Sequence, residues 1–77
     1  MGVLIMLEKY IDDTFNKKYF DFKQMTFNSI EVSEKDNSQE KLLIVNIFED
    51  ILIYEDKKLM RTLRYVNNNW LVINDNY

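Results

Sequence analysis

Leu42-Leu43-Ile44-Val45-Asn46-Ile47-Phe48-Glu49-Asp50-Ile51-Leu52-Ile53-Tyr54 decides the fold class. Ten of its thirteen residues are apolar, and β-branched and aromatic side chains dominate it, a composition that fits a pleated surface better than a helix. Apolar side chains fall on both faces: Leu42, Ile44 and Phe48 on one, Leu43, Val45 and Ile47 on the other. Two readings compete, one long bent strand covered on both sides or two strands turning at Glu49–Asp50. A Glu-Asp turn lacks the Gly or Asn that two-residue hairpins favour, which makes the single bent strand over 41–55 the preferred reading.

C-terminal to it, Glu55-Asp-Lys-Lys58 turns the chain. Residues 59–66 and 70–74 then form a hairpin over Asn67-Asn68-Asn69, Asn being the commonest non-glycine residue at positive φ. N-terminal to it, Glu34–Gln39 is polar and reads as a turn. Residues 25–33 alternate apolar and polar, with a phase slip at Asn28–Ser29 that predicts a bulge or bend. Further back the period lengthens. Leu4, Leu7, Ile11, Phe15, Tyr19 and Phe22 recur at three- and four-residue steps, and Glu8, Asp12, Asp13, Lys17 and Lys18 occupy the other side. This spacing predicts an amphipathic helix over 3–23. The predicted fold is therefore α+β: a single domain over 1–77, with one N-terminal helix packed on a curved antiparallel meander of about four strands.

The closing segment Tyr54-Glu-Asp-Lys-Lys-Leu-Met-Arg61-Thr-Leu-Arg-Tyr-Val-Asn-Asn-Asn-Trp70-Leu-Val-Ile73 resembles the last hairpin of the cystatin-like and nuclear-transport-factor-like (SnoaL-like) α+β rolls, where a Trp commonly follows the turn. The resemblance covers the C-terminal half. It implies a helix cradled by a curved sheet. Full-length members have extra N-terminal helices that form a ligand pocket, and this sequence lacks them.

Composition excludes whole classes of chemistry. There is no His, Cys, Pro or Ala, so a Ser–His or Cys–His nucleophile, a zinc finger and a disulfide framework are ruled out. The one glycine, Gly2, leaves no phosphate-cradling loop. The acidic pairs Asp12–Asp13, Glu49–Asp50 and Glu55–Asp56 diverge on a helix or strand, so neither paired acid–base work nor a calcium loop is expected of them. Lys57, Lys58, Arg61 and Arg64 form the sole basic cluster, but residues three apart on a strand face opposite ways. With 13 acids against 10 bases the net charge is −3, which disfavours nucleic acid and anionic membranes as partners. It is too mild, and too interspersed with bases, for a DNA mimic. Val3–Leu7 is too short for a signal core, and no run nears the length that spans a bilayer, so a cytoplasmic protein is expected. Of the 77 residues, 39 are Phe, Tyr, Met, Ile, Asn or Lys, and only three are Gly, Ala, Arg or Pro. That bias is the mark of an AT-rich genome, such as a low-GC bacterium or its phage.

A chain of this size buries little surface and has no cysteine or metal staple, so self-association is expected. The sequence points to a small non-enzymatic protein that works through a protein partner and forms a homodimer, without cofactor, metal or catalytic residues. A phage or mobile-element inhibitor of a host protein, of the anti-CRISPR type, is the most concrete version. A structural or regulatory subunit of a larger assembly is the alternative, and a reduced SnoaL-like ligand binder or enzyme the second. Aromatics in excess of one buried stripe, together with the paired arginines, are the candidate partner or dimer surface: Tyr10, Tyr19, Phe20, Phe48, Tyr54, Arg61, Arg64 and Tyr65.

Overall fold

The computed structural model describes residues 3–77, with side chains from Met6 onward. One helix, α1 (Val3–Thr14), precedes six strands: β1 (Phe20–Thr26), β2 (Ser29–Glu34), β3 (Asn37–Ile47), β4 (Asp50–Glu55), β5 (Lys58–Val66) and β6 (Asn69–Asp75). The strands form one antiparallel meander in the order β1-β2-β3-β4-β5-β6, leaving β1 and β6 as its edges. A single helix on an antiparallel sheet is as expected, but the expectation of about four strands is corrected to six.

Two local readings produced the miscount. The predicted helix over 3–23 stops at Thr14, where Phe15 N donates the last helical bond to Ile11 O at 2.9 Å. Asn16 then turns the chain: its Oδ1 accepts from Lys18 N at 2.9 Å and its carbonyl from Tyr19 N at 2.9 Å. A short polar side chain bonding its own backbone competes with the helix. Phe20 and Phe22, both inside the predicted helix over 3–23, are alternate residues of β1, paired with Glu34 and Val32. Phe15 to Phe22 is seven residues, a spacing that two helical turns and a helix–turn–strand both satisfy. The side chain of Leu4, the first residue of the predicted stripe, lies outside the described residues.

The preferred single strand over 41–55 is likewise corrected. It is the β3–β4 hairpin, turning at Phe48–Glu49 with Phe48 at φ 53°. The slip at Asn28–Ser29 is a hairpin turn rather than a bend in one strand; the register shift lies beside it, between Gln24 and Thr26. The predicted turns at 55–58 and 67–69 are present, with positive φ at Asp56 and Lys57 and at Asn67 and Asn68. Positive φ at both central residues is what the type I′ hairpin turn requires.

On one face of the sheet Val32, Ile44, Ile51, Ile53 and Leu63 meet Leu7, Tyr10 and Ile11 of α1, and together these form the buried core. An aromatic arc ties the helix to both sheet edges. Phe22 and Phe20 contact Phe15, Phe15 contacts Tyr10, Tyr10 contacts Trp70, and Trp70 contacts Tyr65, at centroid distances of 4.9–6.2 Å. The Trp70 indole N–H also donates to Asp13 Oδ2 at 2.9 Å, and Lys9 reaches the same carboxylate at 3.3 Å. One helix thus closes over six strands without covering them all.

These polar ties make stability depend on pH. The Trp70 indole, with Lys9, holds the Asp13 carboxyl below its usual range, and the Tyr77 backbone N–H, with Arg61, does the same for Asp75. A depressed carboxylate contributes stability that is present above the ordinary Asp value, near 4, and is lost as pH falls through the folded-state value. Burial pushes the Tyr10 phenol up, so its contribution is present below about 10 and is lost as pH rises through the raised value. Melting curves across pH should show a plateau with an acid and an alkaline decline. Asp13→Asn should flatten the acid limb; an unaltered limb would mean Asp13 carries none of it.

Candidate interaction surface

Strand alternation places two sets of side chains on opposite faces. Residues 42, 44, 51 and 53 face α1. Their neighbours Leu43, Val45, Leu52 and Tyr54 face away, with Leu43 opposite Tyr54 and Val45 opposite Leu52 across the β3–β4 pair. None of these four belongs to the buried cluster, and all are half-buried by their neighbours in the sheet alone. Ile47 extends the strip at one end. Among the described residues no element covers this bare face.

Its polar rim is made of ion pairs. Glu31 and Lys41 meet at 3.6 Å across β2–β3, and Asp50 accepts from Arg64 Nε at 2.8 Å across β4–β5. The Asp50 carboxylate keeps the Arg64 guanidinium's proton bound more firmly than usual. Both pairs are partly solvated, so they orient side chains more than they stabilise the fold.

At the end of the sheet that carries the Phe27–Asn28 and Phe48–Glu49 turns, two aromatics stand in solvent: Phe27 is 76% and Phe48 90% exposed. A buried amide holds these turns together. Asn46, 1% exposed, donates through Nδ2 to the carbonyls of Phe48 at 3.0 Å and Asp50 at 2.9 Å. Its backbone N–H donates to Asn28 O at 2.8 Å, and Asn28 Nδ2 returns a bond to Asn46 O at 3.0 Å. Asn46 Oδ1 has no partner. A bulky residue at positive φ costs about 1–2 kcal/mol, and these bonds are what hold it there.

At the opposite end of the sheet an open cleft of about 540 Å³ has Phe20, Val32 and Leu42 among its lining residues and Glu34, Lys41 and Tyr77 beside them. The Tyr77 hydroxyl donates to Glu55 Oε2 at 3.2 Å, engaging one of the cleft's carboxylates. No group of three or more acidic side chains converges as a cation site among the described residues, and none of their helices is long and apolar enough to cross a membrane.

The candidate surface residues do not gather in one place. Tyr54 and Arg64 lie on the bare face, and Phe48 is exposed at the β3–β4 turn. Tyr10 is buried in the core, and Tyr65 packs under Lys9, 4.9 Å from its ring centroid, on the helix side. Phe20 is half-buried against Phe15, and Tyr19 is exposed in the turn before β1. Arg61 faces away from Arg64, as their spacing requires; it pairs with Asp75 at 3.2 Å and stacks over Tyr77. The sequence did not single out Phe27 or the β6 edge. Phe27 sits where the alternation slipped, and that slip was the available signal.

Comparison of the chain with family models, with curated proteins and with solved structures gives no match.

Proposed function

We propose that the protein works by contact rather than by chemistry, and that its working surface is the sheet face α1 leaves bare. The strip Leu43, Val45, Leu52 and Tyr54, rimmed by Glu31–Lys41 and Asp50–Arg64, carries this reading. A contiguous apolar strip inside a polar rim is the anatomy of a protein-binding patch. The narrower version is an accessory protein of a phage or mobile element that binds and blocks a host protein in the cytoplasm, an anti-CRISPR-type inhibitor being one example. Chain length and the AT-rich residue bias support it. Capture from an AT-rich bacterial lysate tests the reading. One host protein should be retained by the wild-type chain and lost with Leu52→Lys. Equal retention by both would remove the bare face as the binding surface. A second reading, a reduced ligand binder of the SnoaL-like kind, has the open cleft beside Phe20, Val32 and Leu42 in its favour.

A further inference from the structure

The two edges of the sheet are guarded very differently. An edge strand exposes a row of unpaired backbone N–H and C=O groups, and proteins blunt such edges with charge, proline or bulges. Each edge has one register irregularity, β1 between Gln24 and Thr26 and β6 at Ile73, between Val72 and Asn74, so the difference between them is charge: β1 has Asp21 and Lys23 along its length. β6 reads Asn69-Trp-Leu-Val-Ile-Asn-Asp75, with no charge before its last residue. Leu71, Val72 and Ile73 are consecutive and 53%, 43% and 43% exposed. The final Asp75 is already engaged by Arg61 at 3.2 Å. The last two residues, Asn76 and Tyr77, bond back to Met60, Leu59 and Glu55, inward across the sheet rather than along the open edge.

We propose that two copies of the chain pair through β6, antiparallel and centred on Val72, joining two six-stranded sheets into one of twelve. The strand is complementary to itself in that orientation. Val72 meets the other Val72, Leu71 meets Ile73, and Trp70 meets Asn74. Asp75 falls opposite Asn69, so the only charge on the strand is carried to the two far ends of the pair. A parallel pairing would set Asp75 on Asp75, and like charges directly opposite are unfavourable. The antiparallel arrangement also satisfies the two-fold symmetry of an isologous dimer. The pairing rests on the edge alone and leaves the bare face free.

Sedimentation at micromolar concentration tests it. The wild-type chain should run at about twice 9.4 kDa. At the two-fold centre residue 72 faces its own copy, so Val72→Lys alone and Val72→Glu alone should each run as monomers, and an equimolar mixture of the two should recover the dimer. Leu52→Lys, on the bare face, should dimerise like the wild type. A monomeric wild type overturns the pairing. So does a dimer that Val72→Lys leaves intact, or that Leu52→Lys abolishes. Two monomeric variants that fail to recover a dimer on mixing overturn the register about Val72. Folding of each variant is checked by its melting transition, because an exposed edge residue should tolerate the change. The Val72 results do not bear on host-protein capture through Leu52, so the edge pairing and the bare-face reading fail separately.

Discussion

Ile44→Ala should lower the unfolding free energy by about 3–4 kcal/mol, while Leu43→Ala, one residue away, should cost less than about 1.5 kcal/mol. Ile44 is fully buried, paired with Ile30 on one side and Ile53 on the other, at the middle of the sheet beneath α1. Truncating a buried Ile removes transfer free energy and leaves a cavity that close-packed neighbours only partly fill, a loss of about 2–5 kcal/mol. A domain of this length holds roughly 4–12 kcal/mol in all, so the substitution should remove at least about a quarter of the stability. Leu43 faces the bare side, where its truncation leaves no enclosed cavity. Urea denaturation checks both variants: the midpoint should drop sharply for Ile44→Ala and slightly for Leu43→Ala, with similar slopes. Equal costs would mean that the face away from α1 is covered too.

Asn46→Ala should cost about 2–3 kcal/mol, a large effect for a polar residue on a small domain. The substitution strips two carbonyls of their donor, those of Phe48 and Asp50, and each net hydrogen bond is worth about 1 kcal/mol, more where an acceptor is left unsatisfied. It also opens a small void at a position that is 1% exposed. The two Nδ2 donors are what the turn uses. Phe48→Gly should act in the other direction, by up to about 1 kcal/mol, because glycine takes positive φ without a steric cost and a 90%-exposed ring loses no packing when removed. Thermal and urea unfolding of the two variants measures both signs. A cost under about 0.5 kcal/mol for Asn46→Ala would mean that the turn holds its shape without the amide. A loss of stability in Phe48→Gly would mean that the ring packs on something.

Both predictions turn on how β3 and β4 are joined, and there local rules and tertiary structure disagree. Hairpin rules ask for Gly or Asn at a two-residue turn. At 67–68 the sequence supplies Asn-Asn, and the turn was legible. At 48–49 it supplies Phe-Glu, and the rule pointed to a continuous strand. The needed asparagine is present, but as Asn46, two residues upstream, acting through its side chain from inside the sheet. No local window distinguishes that Asn from a polar interruption in a strand. The helix boundary failed for a related reason. Phe15, Phe20 and Phe22 all pack against the core, so they satisfy a buried-stripe pattern whether the chain between them is helix or turn.

By itself, the sequence determined which residue types are absent, the class of one helix on an antiparallel sheet, the opposed faces of β3 and the Asn-rich last hairpin. Residue inventory and side-chain alternation are properties of the chain and need no partner in space. Tertiary structure alone decided the number of strands, the end of α1, which face of the sheet stayed bare and which edge stayed open. Each of those depends on which surfaces one short helix can reach, and twelve residues, at about 1.5 Å of rise apiece, span roughly 18 Å of a body 34 Å long.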